Sequence, residues 1–246
     1  MAPNGNRPSG SCLRLDPRKT SLLASRTDIE TVNDLVGRSY AIADYGSLDH
    51  ALTQAVLRAY GATEPEFVAI GPPDVRIQAL AAGQVDATTV SFGVYSSIES
   101  VEGIHILVPP NDFSARAPAL AKFVVGMEST LNDKREAIQR FTDAMIETSR
   151  AMEADSAAWV EAAVAARPDL TRENLERTAG LNQLRWCING CMSEATLEQA
   201  VEFIYSNPDF AEVPPMGYAE IVDLSFTQTA IETMGAAGGD ALDARN

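Results

Sequence analysis

Between Ser39 and Val108 one local grammar recurs: a short apolar or β-branched run, a loop marked by glycine or proline, then a helical period. Ser39 to Ala43 reads as a buried strand and stops at Asp44-Tyr45-Gly46-Ser47. A helix follows, with Leu52, Ala55, Val56 and Ala59 at i, i+3, i+4 and i+7 and Gly61 closing it. Phe67 to Ile70 leads into Gly71-Pro72-Pro73, after which Asp74 caps a helix carrying Val75, Ala79 and Leu80 on one side and stopped by Gly83. Val85 to Ser91 is strand-like, Phe92 to Ser100 a short helix, and His105 to Val108 a strand broken by Pro109-Pro110. Strands that alternate with short helices bury their apolar sides as a parallel sheet with helices on its faces. The expected fold class is therefore α/β, with a small parallel-sheet lobe over 31–121.

The flanking segments read differently. Met1 to Arg18 is rich in Pro, Gly, Ser, Asn and Arg, has no hydrophobic period, and is expected to be disordered. Lys19 to Ser25 is an extended candidate, so 19–30 is taken as a crossover strand; Thr31 to Gly37 is one helical turn closed by glycine. Lys122 to Met127 is one more strand candidate. Beyond it the period turns helical: Ile138, Phe141, Met145 and Met152 mark a long amphipathic helix. Asp155, Thr171 and Ser193 are placed to cap three further helices, Pro168 and Pro208 to stop two of them, and a last helix is expected from Tyr218 to Gly235. The domain reading is thus 1–18 disordered, 19–30 crossover strand, 31–121 α/β lobe, 122–235 helical remainder and 236–246 frayed tail.

Composition narrows the chemistry. Nineteen basic residues against 34 acidic give a net charge of −15, which argues against a nucleic-acid partner. No run approaches the roughly 20 apolar residues of a membrane span, and no signal peptide is visible. Only Lys19, Lys122 and Lys134 are lysines, leaving little room for Schiff-base chemistry. There is no Gly-x-Ser-x-Gly elbow, phosphate-loop motif or His-Glu-x-x-His. No cofactor, metal site or catalytic residue is assigned. Cys187 and Cys191 lie four apart, a spacing open to two thiols, a disulfide or, least well supported, a metal site. His50 opens a helix as a surface residue or as one that reaches a ligand, and His105 reads as structural.

The informative stretch is the strand–Gly46-Ser47–helix transition. In an open parallel sheet, ligands bind beyond the carboxyl ends of the strands, where helix N-termini present unpaired N–H groups. Gly46 lets the backbone approach a ligand and Ser47 adds a hydroxyl. Tyr45 offers a ring for stacking on a ligand or packs on the helix. Thr88, Thr89 and Ser91 are placed at a neighbouring strand end, beside Gly71-Pro72-Pro73. Asp44 and Asp49 flank the turn, and two carboxylates would steer the pocket toward a neutral, zwitterionic or cationic solute.

The order of these motifs resembles a known family. Val32-Asn-Asp-Leu-Val-Gly-Arg38, Tyr40-Ala-Ile-Ala43, Gly46-Ser47, Leu57-x-x-x-Gly61 and Ala79-Leu80-x-x-Gly83-x-Val85-Asp86-Ala87 are similar to the second lobe of ABC-transporter solute-binding proteins of the nitrate, sulfonate, taurine and thiamine-pyrimidine-precursor branch. Arg135 to Phe141 resembles that family's return helix. The resemblance implies a type 2 periplasmic-binding-protein fold, a small-molecule solute held in an inter-lobe cleft, a membrane permease as partner, and a periplasmic or cell-surface location. It assigns Gly46 and Ser47 to the ligand, with Thr88, Thr89 and Ser91 as further candidates and Asp86 as structural. Two alternatives stay open: an enzyme on the same scaffold, of pyrimidine synthase or desulfinase type, and a ligand-sensing regulatory domain. Family members carry most of a first lobe before the Asp-Leu-x-Gly motif, whereas 33 residues precede Asp34 here. The expectation is a chain lacking most of that lobe, with an apolar patch exposed on the helices from Ile138 to Val164.

Overall fold

The computed structural model describes residues 8–11, 21–117, 124–182, 186–190, 194–210, 212–214 and 216–238. In chain order these form β1 (Pro8–Ser11), β2 (Ser21–Arg26), a 3-10 turn (Val32–Leu35), β3 (Ser39–Ile42), α1 (Leu48–Ala59), β4 (Glu66–Ala69), α2 (Pro73–Ala81), β5 (Ala87–Ser91), α3 (Phe92–Tyr95), β6 (Ile104–Val108) and α4 (Pro110–Arg116). There follow β7 (Gly126–Met127), α5 (Glu128–Asp133), α6 (Arg135–Ala154), α7 (Ser156–Ala166), α8 (Arg172–Asn182), α9 (Glu194–Tyr205), a 3-10 turn (Pro208–Phe210), α10 (Tyr218–Ile221), β8 (Val222–Asp223) and α11 (Ser225–Met234). The chain divides into two compact units, one of residues 17–119 and 160–182, the other of 1–16, 120–159 and 183–246.

The first unit is built on a five-stranded sheet in the order β4-β3-β5-β2-β6. β3 is parallel to both β4 and β5. β2 is antiparallel to both its neighbours, with Ser21 opposite Ser91 and Leu23 opposite Val108. The sheet is therefore mixed rather than wholly parallel, and the expected crossover strand is one of its inner members. Leu22 and Leu23, both fully buried, point to opposite faces and seed a core on each. On one side Leu22, Ile77, Leu80, Val90, Phe92 and Ile98 pack together. Each such side chain is worth roughly 1.5–3 kcal/mol when taken from water.

Local signals fix most element ends. Asp34 accepts from both the N–H and the hydroxyl of Thr31, at 2.8 Å each, closing the turn before β3. Gly61 takes a left-handed φ of 67° just beyond α1, and Ala62 N–H returns to the Leu57 carbonyl at 3.0 Å. Pro110 opens α4 rather than ending structure, because a helix's first residue needs no N–H partner. On α2 the buried set is Arg76, Ile77, Ala79 and Leu80, while Val75 is exposed, against expectation.

Residues 160–182, read from the sequence with the later helices, group with the sheet. Three contacts explain it: Asn174 donates to the Ser96 carbonyl at 3.0 Å, Arg177 pairs with Glu99 through two bonds, and its guanidinium lies 5.0 Å from the Phe92 ring.

In the other unit β1 lies between β7 and β8, antiparallel to the first and parallel to the second. Part of the segment expected to be disordered is thus a strand. Asp223 interrupts the expected last helix: after β8 its carboxylate accepts Ser225 N–H at 2.9 Å and starts α11 afresh. Ile146 of α6 and Ala230 of α11 form a small core with Val124, Met145 and Met234. Of the expected apolar patch, Phe141 is exposed, and Ile138, Met145 and Met152 are partly so.

Candidate functional site

In the unit of the five-stranded sheet, β3, β4 and β5 run in one direction and end at one edge. The first transition there is Asp44 to Ser47. Gly46 has φ 72°, a conformation costing an L side chain roughly 1–2 kcal/mol. A Cβ there would meet nothing within 4 Å, so the glycine serves backbone direction rather than space. Its N–H donates to His50 Nδ1 at 3.1 Å. Ser47 precedes α1 in extended conformation, and its side chain makes no capping bond to the helix N–H groups. Its hydroxyl lies 2.6 Å from the Asp44 carbonyl and 2.7 Å from Asp49 Oδ1. One proton serves two acceptors, so the hydroxyl can turn to a third at the loss of one bond. The uncapped first turn of α1 favours electron-rich groups.

Asp49 is held from three sides. Its Oδ2 accepts Ala43 N–H at 3.0 Å and lies 3.4 Å from Arg76 Nη2, while Oδ1 takes the Ser47 proton. Arg76 is 4% exposed. It donates through Nη1 to the Gly71 carbonyl at 2.6 Å, through Nη2 to the Thr89 carbonyl at 3.1 Å and through Nε to Thr88 Oγ1 at 3.3 Å. Burial pulls this guanidinium below its ordinary pKa, and the Asp49 carboxylate pushes back. The pairing alters the expected electrostatics: one of the two flanking carboxylates faces a partner cation, leaving Asp44 as the exposed acid at the turn.

The six candidate residues are not equivalent. Gly46, Ser47 and Tyr45 sit in one loop. Tyr45 is 62% exposed; its hydroxyl donates to the Phe67 carbonyl at 2.8 Å and its ring meets His50 edge-on at 5.6 Å. It packs on the helix and still presents a face. Ser91 ends β5 opposite Ser21. Thr88 and Thr89 lie in the body of β5 rather than at its end, because the strand runs on to Ser91. Thr88 Oγ1 donates to the Ala41 carbonyl at 3.0 Å. Thr89 Oγ1 lies 2.6 Å from Tyr40 Oη and 2.7 Å from Thr53 Oγ1, in a buried chain that ends on the Asp49 carbonyl. Burial raises the Tyr40 phenol far above its usual range.

His50, a surface or ligand-reaching residue on the sequence, is buried, with its ring 4.6 Å from that of Phe67. The eight residues from His50 to Leu57 are all buried, so these two turns of α1 have no solvent face. His105 is structural, its Nε2 2.9 Å from the Ile29 carbonyl. Asp86 sits at the far edge of the sheet, accepting from Ser39 N–H and hydroxyl at 2.9 and 2.8 Å. Cys187 is buried and Cys191 lies outside the described residues. Among the described residues no three His, Cys, Asp or Glu are placed to hold a metal ion, and no helix is long and apolar enough to cross a membrane.

The family model described as NMT1/THI5 like matches residues 11–156, more than half of the chain. The chain belongs to this family. No curated protein matches it. Solved structures give the NMT1/THI5-like chain a periplasmic-binding-protein fold. The alkanesulfonate-binding protein SsuA of Xanthomonas axonopodis pv. citri, bound to MOPS, has 19% identity and a TM-score of 0.69, covering 89% of this chain and 74% of its own. The periplasmic aliphatic sulphonate binding protein SsuA of Escherichia coli has 15% identity and a TM-score of 0.65, covering 97% and 73%. A ligand-binding component of an ABC-type import system from Staphylococcus aureus, with zinc bound, has 13% identity and a TM-score of 0.71, covering 92% and 75%.

Sequence reasoning missed two participants. Ser21 reaches the edge only because β2 runs antiparallel, which no local pattern reveals. Arg76 carries no local signal of its role, because its site partner Asp49 lies 27 positions earlier (76 − 49).

Proposed function

We infer that the protein is the solute-binding component of an ABC importer, taking a small organic solute of the sulfonate, nitrate, taurine or pyrimidine-precursor type. The observation that carries this reading is the uncapped N-terminus of α1 beside the left-handed Gly46 and the shared Ser47 hydroxyl. Gly46 and Ser47 contact the solute, Tyr45 and Ser91 flank it, and Thr88 and Thr89 support the strand below. Family membership and the named functions of the solved relatives support a binding role without turnover, a permease partner in the membrane and a periplasmic or cell-surface location.

The test is a thermal-shift and calorimetric panel of alkanesulfonates, taurine, nitrate and aminopyrimidines, with mass spectrometry of the recovered ligand. One class is expected to raise the melting temperature and to be recovered unchanged. A ligand at 100 times its Kd adds about 2.7 kcal/mol, and a chain this long shifts by roughly 2–4 °C per kcal/mol. Conversion of the ligand would favour an enzyme on this scaffold; silence across the panel would remove the solute-binding reading.

A further inference from the structure

We propose that Arg76 is the positioning residue of this sheet edge: it ties the β3–α1 and β4–α2 transitions to the body of β5 and cancels the Asp49 charge behind the α1 N-terminus, so that the turn at Gly46-Ser47 accepts an anionic group. The proposal rests on the solute-binding reading of that edge. Its own basis is the set of bonds around one buried guanidinium. Nη1 holds the Gly71 carbonyl after β4, Nη2 holds the Thr89 carbonyl within β5, and Nη2 also faces Asp49 in the first turn of α1. The planar fork reaches acceptors in several directions at once, which an ammonium does not reproduce. The same carboxylate orders the turn through Ala43 N–H and Ser47 Oγ. Arg76 therefore acts on the turn without touching solute.

The charge argument runs through distance and burial. Asp49 alone would set a negative charge beside the N–H groups offered to a solute; it suits the helix dipole itself but uses up the positive potential that would draw an anion. With Arg76 at 3.4 Å and nearly fully buried, the pair is close to neutral, and the other acid of the turn, Asp44, is exposed to water, where its charge is screened. Loss of the arginine would leave a half-compensated acid at the site.

Two measurements test this on the full chain. The first is calorimetry of R76M, R76K, D49N and R76M/D49N with an alkanesulfonate, taurine and a neutral aminopyrimidine. R76M is expected to lose at least tenfold affinity for the sulfonate and less for the neutral probe. R76K should recover part of that loss, and adding D49N to R76M should recover more. Equal losses for all probes, or no recovery with D49N, would overturn the charge role.

The second is amide hydrogen exchange of R76M without solute. The amides of Ala43, bonded to Asp49, and Gly71, bonded to the Ala43 carbonyl, are expected to exchange at least tenfold faster. Thr27 N–H, bonded to the Gly103 carbonyl at the opposite sheet edge, should keep its rate. Uniform acceleration would mean a purely structural arginine and overturn the positioning role, even if no probe binds the wild type. A wild type that binds nothing while exchange changes as expected would sink the functional reading alone.

Discussion

At the residue scale, the turn Tyr45-Gly46-Ser47 is where conformation and chemistry meet. Gly46→Ala introduces no clash, since a Cβ meets open space, yet must hold φ 72°. It is expected to cost roughly 1–2 kcal/mol in chemical denaturation and to weaken solute binding. Unchanged stability with lost binding would mean that the glycine is needed for approach to the ligand instead. Tyr40 gives a pH dependence with a defined sign. Its phenol is raised in the folded state by burial, with the bonds to Thr89 and Thr53 working the other way. Its contribution is full below the ordinary tyrosine value of 10.0 and is lost as pH rises toward the folded value. Stability should fall above pH 10 in wild type and fall less in Tyr40→Phe; parallel alkaline curves for the two would refute this.

At the element scale, α8 is held to α3 by few groups, so its attachment should be separable from the sheet. Arg177→Ala removes both bonds to Glu99 and the contact with Phe92. Because both charged groups are partly exposed, the loss is expected to be about 1 kcal/mol or less, with faster proteolysis confined to 160–182. Cleavage that spreads into β5 would show that α8 is integral to the sheet. The elements also show what was legible. The run from β3 to α1 could be read because glycine, serine and the apolar period all agree there. The end of β5 at Ser91 was legible, but the sequence groups Thr88 and Thr89 with that end when they lie inside the strand. The sheet's mixed direction was beyond reach, since β2 takes its sense from partners far along the chain. On α2, Val75 reads as a packed position, whereas it is exposed and the neighbouring Arg76 is buried facing Asp49.

At the scale of the whole molecule, the unit containing α6 and α11 holds, among the described residues, four large exposed apolar side chains, Val125, Met127, Phe141 and Val213. Such exposure favours self-association when the residues adjoin. Hydrophobic-dye binding and concentration-dependent sedimentation are expected in wild type and should weaken in Phe141→Glu; a clean monomer without dye binding would count against it. The antiparallel β2 has a consequence in time rather than in space. The first strand of the five-stranded sheet is flanked by two of the later ones, β5 and β6. Ser21 meets Ser91 only across 70 positions (91 − 21) and Leu23 waits longer still for Val108. A chain emerging from its N-terminal end can pair β3 with β4 early, while Leu22 and Leu23 stay unsheltered until the rest of the sheet has been made. The first strand of this sheet is thus secured only after the others have been made, and until then two of its most buried side chains face water.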